Sequence, residues 1–126
     1  MRTVTAGRVG ALVLGVTTFA FLFVHDSWRP ENLFLVPDLV LCALLLGAAL
    51  APARWAGRAL LFAFGIAAGV FLTSVASYAV DGRFGAASAL GVVGAVAFAA
   101  LVARAEPVAG GGPTASAAPE GTAAAR

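Results

Sequence analysis

The chain has 126 residues, 61% of them hydrophobic and 11% charged, and its net charge of +2 comes from eight Arg without a Lys. Soluble domains run at about 25% charged and roughly 45–50% apolar, so this composition excludes a soluble fold. The arginines are scattered and form no basic run, which gives nucleic acid nothing to bind.

No Asp, Glu, Lys or Arg falls in 9–25, 39–53, 59–80 or 84–103. Each gap is filled by Leu, Val, Ala, Phe and Gly. A hydrocarbon core about 30 Å thick requires roughly 20 mostly apolar residues as a helix. The chain therefore reads as an all-α integral membrane four-helix bundle, with spans at about 7–24, 33–51, 58–80 and 84–103.

The first span, Gly7–Val24, follows Arg2 and Arg8. No small-x-small cleavage pattern precedes His25-Asp26-Ser27-Trp28, so it reads as a retained signal anchor. Arg8 is expected to reach back toward the headgroups. A loop at 25–32 carries His25, Asp26, Trp28, Arg29, Pro30 and Glu31. The second span runs from Leu33 to Ala51, with Pro37 and Asp38 in its opening turns. Proline suits a first helical turn, and an acid there faces the positive helix end. Regular helix is expected to begin near Pro37, with Leu33–Val36 in the interface.

A tight turn with Pro52, Arg54 and Trp55 leads to the third span, Arg58–Val80. Asp81-Gly82 marks a turn, and the fourth span is Phe84–Ala103. The tail, 105–126, is rich in Ala, Gly, Pro, Ser and Thr and is expected to be disordered and cytoplasmic. The Ala, Gly and Arg bias without Lys points to a GC-rich, bacterial coding sequence.

Basic residues set the expected orientation. Arg2, Arg8, Arg54, Arg58 and Arg104 gather at one side of the spans, and the side richer in Arg and Lys is cytoplasmic. Both termini are therefore expected in the cytoplasm, in a multi-pass protein of the cell membrane.

Small residues recur every fourth position. Gly65, Gly69, Thr73 and Ser77 do so in the third span and Ala87, Gly91, Ala95 and Ala99 in the fourth. Gly7, Ala11 and Gly15 mark the first span, and Ala43, Gly47 and Ala51 the second. Small residues let helices approach closely in lipid. The stripes either pack within the chain or seat a partner helix, as in a homo-oligomer.

The polar residues gather at the opposite side from the arginines. Ser74, Ser77, Tyr78 and Asp81 stand at i, i+3, i+4 and i+7 of the third span, on one helical face. Asp38 starts the second span at similar depth. An intramembrane acid is a functional candidate, as a proton or cation site. The competing reading is a first-turn carboxylate paired with Arg29 or Arg83. His25 completes the candidate polar site as a titratable group near the mouth.

A zinc site would need three or four ligands, and none is expected. Cys42 alone offers neither a disulfide nor a thiolate cluster and reads as a packing residue. Ser74 and Ser77 lack a nucleophile elbow, and hydroxyls in membrane helices mostly bond to backbone or a neighbouring helix. Thr17 and Thr18 read the same way. No catalytic set and no cofactor are expected.

The sequence thus points to a non-enzymatic accessory or structural membrane subunit. The alternative is a small oligomeric transporter or channel using Asp38 and the polar face of the third helix. Reporter fusions at residue 30 and at the C-terminus should report opposite sides of the membrane. Both on one side would overturn the four-span arrangement.

Overall fold

Local signals set where each helix begins and ends. The computed structural model describes residues 2–24, 29 and 31–105. It contains α1 (Arg2–Val24), α2 (Leu35–Leu50), α3 (Ala53–Val80) and α4 (Ala86–Ala105), with no strand among the described residues. The loop that holds His25 and the tail from 106 lie outside the described residues.

α2 starts two residues before Pro37, earlier than the sequence suggests. The first four amides of a helix have no intrahelical partner, so a proline third in line sacrifices no bond. The Asp38 amide then makes the i to i−4 bond to the Phe34 carbonyl at 2.9 Å. Ahead of it, the Asn32 side-chain oxygen accepts from the Phe34 amide at 3.1 Å and holds the turn. Pro52 caps α3, whose first bonds run from the Trp55 and Ala56 amides to its carbonyl. α3 therefore begins five residues before Arg58.

α3 ends in a Schellman motif. Gly82 takes φ of +69°, a left-handed conformation that glycine adopts without strain. Its amide donates to Ala79 at 3.0 Å and the Arg83 amide to Tyr78 at 2.8 Å. The Asp-Gly turn expected from sequence is thus a helix cap.

The helices alternate in direction. α1 packs on α2, α2 on α3, α3 on α4 and α4 on α1. α1 and α3 also touch across the bundle, whereas α2 and α4 share no contact among the described residues. Both described chain ends and the α2–α3 turn lie at one end, with Arg2, Arg8, Arg54, Arg58 and Arg104. We call this the basic end. Arg8 reaches toward that end and finds a partner there. It is half-buried, and its guanidinium donates to the Ala51 carbonyl at 2.7 Å, tying the start of α1 to the end of α2.

The core is built mostly from Ala and Leu, with Phe64 and Phe71 among them. Ala11, Leu41, Leu45, Leu60, Phe64 and Val102 are wholly buried. The Phe64 and Phe98 rings stack at 5.5 Å. Leu33 and Val80 are 86% and 88% exposed, and Val9, Val16, Phe62, Leu72 and Val93 also face outward. A soluble monomer rarely exposes an apolar patch beyond a few hundred Å²; here the outer faces are apolar from end to end. α1, α3 and α4 are long and apolar enough to cross a membrane. α2, at 16 residues, rises about 24 Å at roughly 1.5 Å per residue, somewhat short of a hydrocarbon core of about 30 Å.

The small-residue stripes divide into two kinds. A methyl group on Gly7 would stand 2.7 Å from Val102, and one on Gly10 2.5 Å from the Phe98 ring. One on Gly91 would meet the Phe71 ring at 2.7 Å. These glycines are where helices meet inside the chain. Gly47, Gly65 and Gly69 have nothing within 4 Å of such a methyl, and Thr73 and Ser77 are exposed with them. The stripe on α3 therefore faces outward, so intrachain packing does not account for it.

Gly10→Leu should destabilise the bundle by about 1–3 kcal/mol, the usual cost of overpacking. Gly65→Leu should leave the monomer's stability nearly unchanged. Reversible unfolding in mixed micelles measures both; equal losses would contradict the packing described.

Candidate functional site

The end opposite the basic end is not filled. A cavity of about 380 Å³ opens there between all four helices. Its polar lining consists of Asp38 and Asn32 from the α2 side, Ser74 and Tyr78 from α3, Ser88 from α4, and Thr17 and Thr18 from α1. Deeper in, Phe71, Gly91 and Phe98 form an apolar floor. The packed layer of Leu60, Phe64, Ala95 and Val102 lies between this floor and the basic end.

The sequence pattern of α3 explains half of its polar face. Ser74 and Tyr78 are four residues apart, so they point within about 40° of each other, toward the bundle axis. Ser77 and Tyr78 diverge by about 100°. Ser77 is consequently exposed and does not line the cavity, and neither does Asp81, which caps the helix in the exposed turn. The four polar residues of the third helix are thus not one site. Two of them join Asp38, and His25 lies outside the described residues.

Two features fix the walls. The Ser74 and Ser88 hydroxyls are 2.9 Å apart and share a hydrogen bond between α3 and α4. Ser88 is a residue that sequence reasoning missed. It sits on the first turns of an otherwise apolar helix, and only the pairing with Ser74 distinguishes it. The Tyr78 ring lies against Gly85, where a methyl group would come within 2.5 Å, and the Arg83 guanidinium stands 5.4 Å from the ring centre. A cation over an aromatic face is attracted by the ring quadrupole. The α3 cap that presents Arg83 therefore also orients Tyr78.

Asp38 is half-buried, and no hydrogen bond or ion pair reaches its carboxylate from the described residues. The pairing with Arg83 raised by the sequence is not formed, because Arg83 is engaged by Tyr78 outside the cavity. A carboxylate without a partner beside an apolar floor is costly to keep charged, so this is the residue whose role the bundle itself does not explain.

Other polar groups are accounted for by packing. The Thr18 hydroxyl donates to the Leu14 carbonyl at 2.8 Å and that of Thr73 to Gly69 at 2.9 Å, as expected of hydroxyls in apolar helices. The buried Cys42 thiol donates to the Gly15 carbonyl at 3.4 Å and seals the α1–α2 seam.

No protein family, curated protein or solved structure matches the chain. The geometry of the cavity is therefore the basis for any functional reading.

The serine pair should behave as an interhelical hydrogen bond in lipid. A double-mutant cycle of Ser74→Ala and Ser88→Ala is expected to give a coupling of about 0.6 kcal/mol, and not above about 1.7 kcal/mol. Zero coupling would mean that the hydroxyls do not meet.

Proposed function

We propose that the chain is a non-enzymatic integral membrane protein of the transporter class, which holds a small molecule in the cavity at the end away from the arginines. The carrying observation is Asp38, a carboxyl with no hydrogen bond or ion pair among the described residues, at the wall of a cavity whose floor is apolar. Ligand sites are mostly apolar clefts with a few placed polar groups, of roughly 300–1,000 Å³. The packed layer toward the basic end favours a carrier over an open pore. The serines, bonded to each other, are poorly disposed for nucleophilic work.

In this reading the protein lies in the cell membrane with both termini cytoplasmic. Support comes from the gathering of Arg2, Arg8, Arg54, Arg58 and Arg104 at one end of the bundle. The cavity then faces the outer side.

The outward line of Gly65, Gly69, Thr73 and Ser77 favours a second reading, a subunit that seats another membrane helix on α3. The two are separable. Ligand binding depends on Asp38 and the cavity, whereas assembly depends on the outer face of α3.

The cavity reading is tested by thermal unfolding of the purified chain with benzyl alcohol, phenylacetate and benzyltrimethylammonium. A ligand at 100 times its dissociation constant stabilises by about 2.7 kcal/mol. At least one compound should raise the midpoint of the wild type, and none should act on Ser88→Trp, whose indole fills the cavity. Identical responses of the two proteins would place any binding elsewhere.

A further inference from the structure

The walls of the cavity specify a ligand more closely than its volume does. Its lining contains five aromatic rings, those of Phe21, Phe34, Phe71, Tyr78 and Phe98. Among the described residues Asp38 is the charged one in the lining, and no Arg lines the cavity with it. An anion would meet an uncompensated carboxylate, and a neutral molecule would leave it unpaired. A cation supplies the missing partner and gains from the ring faces as well.

The route inward is also visible. Glycines bring α1 and α4 together only near the basic end, at Gly7 against Val102 and Gly10 against Phe98. Farther along, Val13 and Thr17 on α1 and Ala87 and Leu90 on α4 line the cavity. The same four residues are exposed on the outside of the bundle, Val13 by 60% and Leu90 by 73%. Residues that face both the cavity and the exterior border an opening. This one lies along the sides of two helices long and apolar enough to cross a membrane, where the neighbour is hydrocarbon.

We propose that the cavity binds a lipophilic organic cation, a substituted ammonium carrying one ring or a short alkyl group, admitted sideways from the bilayer between α1 and α4. The ammonium sits beside Asp38, and the apolar part rests on Phe71 and Phe98. The proposal rests on the ligand-binding reading above and adds to it the charge of the ligand and its path.

The test uses the full chain in nanodiscs of zwitterionic lipid and equilibrium dialysis, with empty nanodiscs subtracted. The probes are benzyltrimethylammonium, its neutral carbon isostere neopentylbenzene, and the anion phenylacetate. The wild type should bind the ammonium saturably and phenylacetate not at all. Asp38→Asn, nearly isosteric and easier to insert in lipid, should weaken ammonium binding at least tenfold and leave neopentylbenzene unchanged. Thr17→Trp, which keeps Asp38 and narrows the lateral gap, should slow the uptake of both at least tenfold when the approach to equilibrium is followed in time.

Equal ammonium affinity in the wild type and Asp38→Asn would overturn the cation assignment, as would phenylacetate binding as tightly as the ammonium to the wild type. The second comparison needs no variant and stands if Asp38→Asn fails to fold. Saturable binding of neopentylbenzene without the ammonium would refute the cation while leaving the cavity reading intact. No saturable binding of any probe would refute the cavity reading itself. Unchanged uptake rates in Thr17→Trp would refute the lateral path.

Discussion

The architecture depends on how closely α1 can approach its neighbours, and small residues on α1, Gly7 and Gly10 above all, set that distance. Gly7 and Gly10 face α4, where a methyl group would collide with Val102 or with the Phe98 ring, while Gly15 faces Leu45 and Cys42 of α2. A four-residue step turns a helix by about 400°, so a line of small residues drifts around the axis by about 40° per step. Along α1 that drift carries the close-packing surface from α4 to α2. Tight contact with α4 therefore ends after Gly10, and the two helices diverge away from the basic end. In lipid, with no hydrophobic force to pull apolar helices together, contact follows the small residues. The cavity is the space left where they cease to line the α1–α4 seam.

The two ends of the bundle consequently have different characters. At the basic end, side chains interlock in a dry core, and Arg8 closes the α2 terminus by bonding the Ala51 carbonyl. At the other end, polar side chains line open space. Ser74 and Ser88 tie α3 to α4, and the glycine cap of α3 sets Arg83 on Tyr78. These contacts hold the walls in place and leave Asp38 without a hydrogen bond or ion pair among the described residues.

Much of the helical plan was legible in the sequence. Charge-free stretches and Pro and Gly punctuation locate four helices, although α3 starts at Ala53 instead of Arg58, since Pro52 is itself a cap. Asp38 stood out because an acid in an apolar segment has few bland explanations. The polar face of α3 was less legible. Four residues at helical spacing predict a common face, but a face is wider than a cavity wall, and only Ser74 and Tyr78 point inward. Ser88 carried no pattern of its own, and its meaning depends wholly on a residue 14 positions away.

The sequence alone determined the solvent and the elements. The free energy of burying apolar residues is local and roughly additive, so runs of Leu, Val, Ala and Phe declare helices suited to lipid whatever their neighbours are. It also fixed which end carries the arginines, because short turns force successive helices to reverse. Only the tertiary structure decided which small-residue stripes are used. Those of α1 and α4 meet side chains inside the bundle, and that of α3 faces out, although the spacing is the same in each. It likewise decided that Arg83 goes to Tyr78 and not to Asp38. Both outcomes depend on the rotation of each helix about its axis, a quantity that periodicity leaves free and that close contact between side chains on different helices sets.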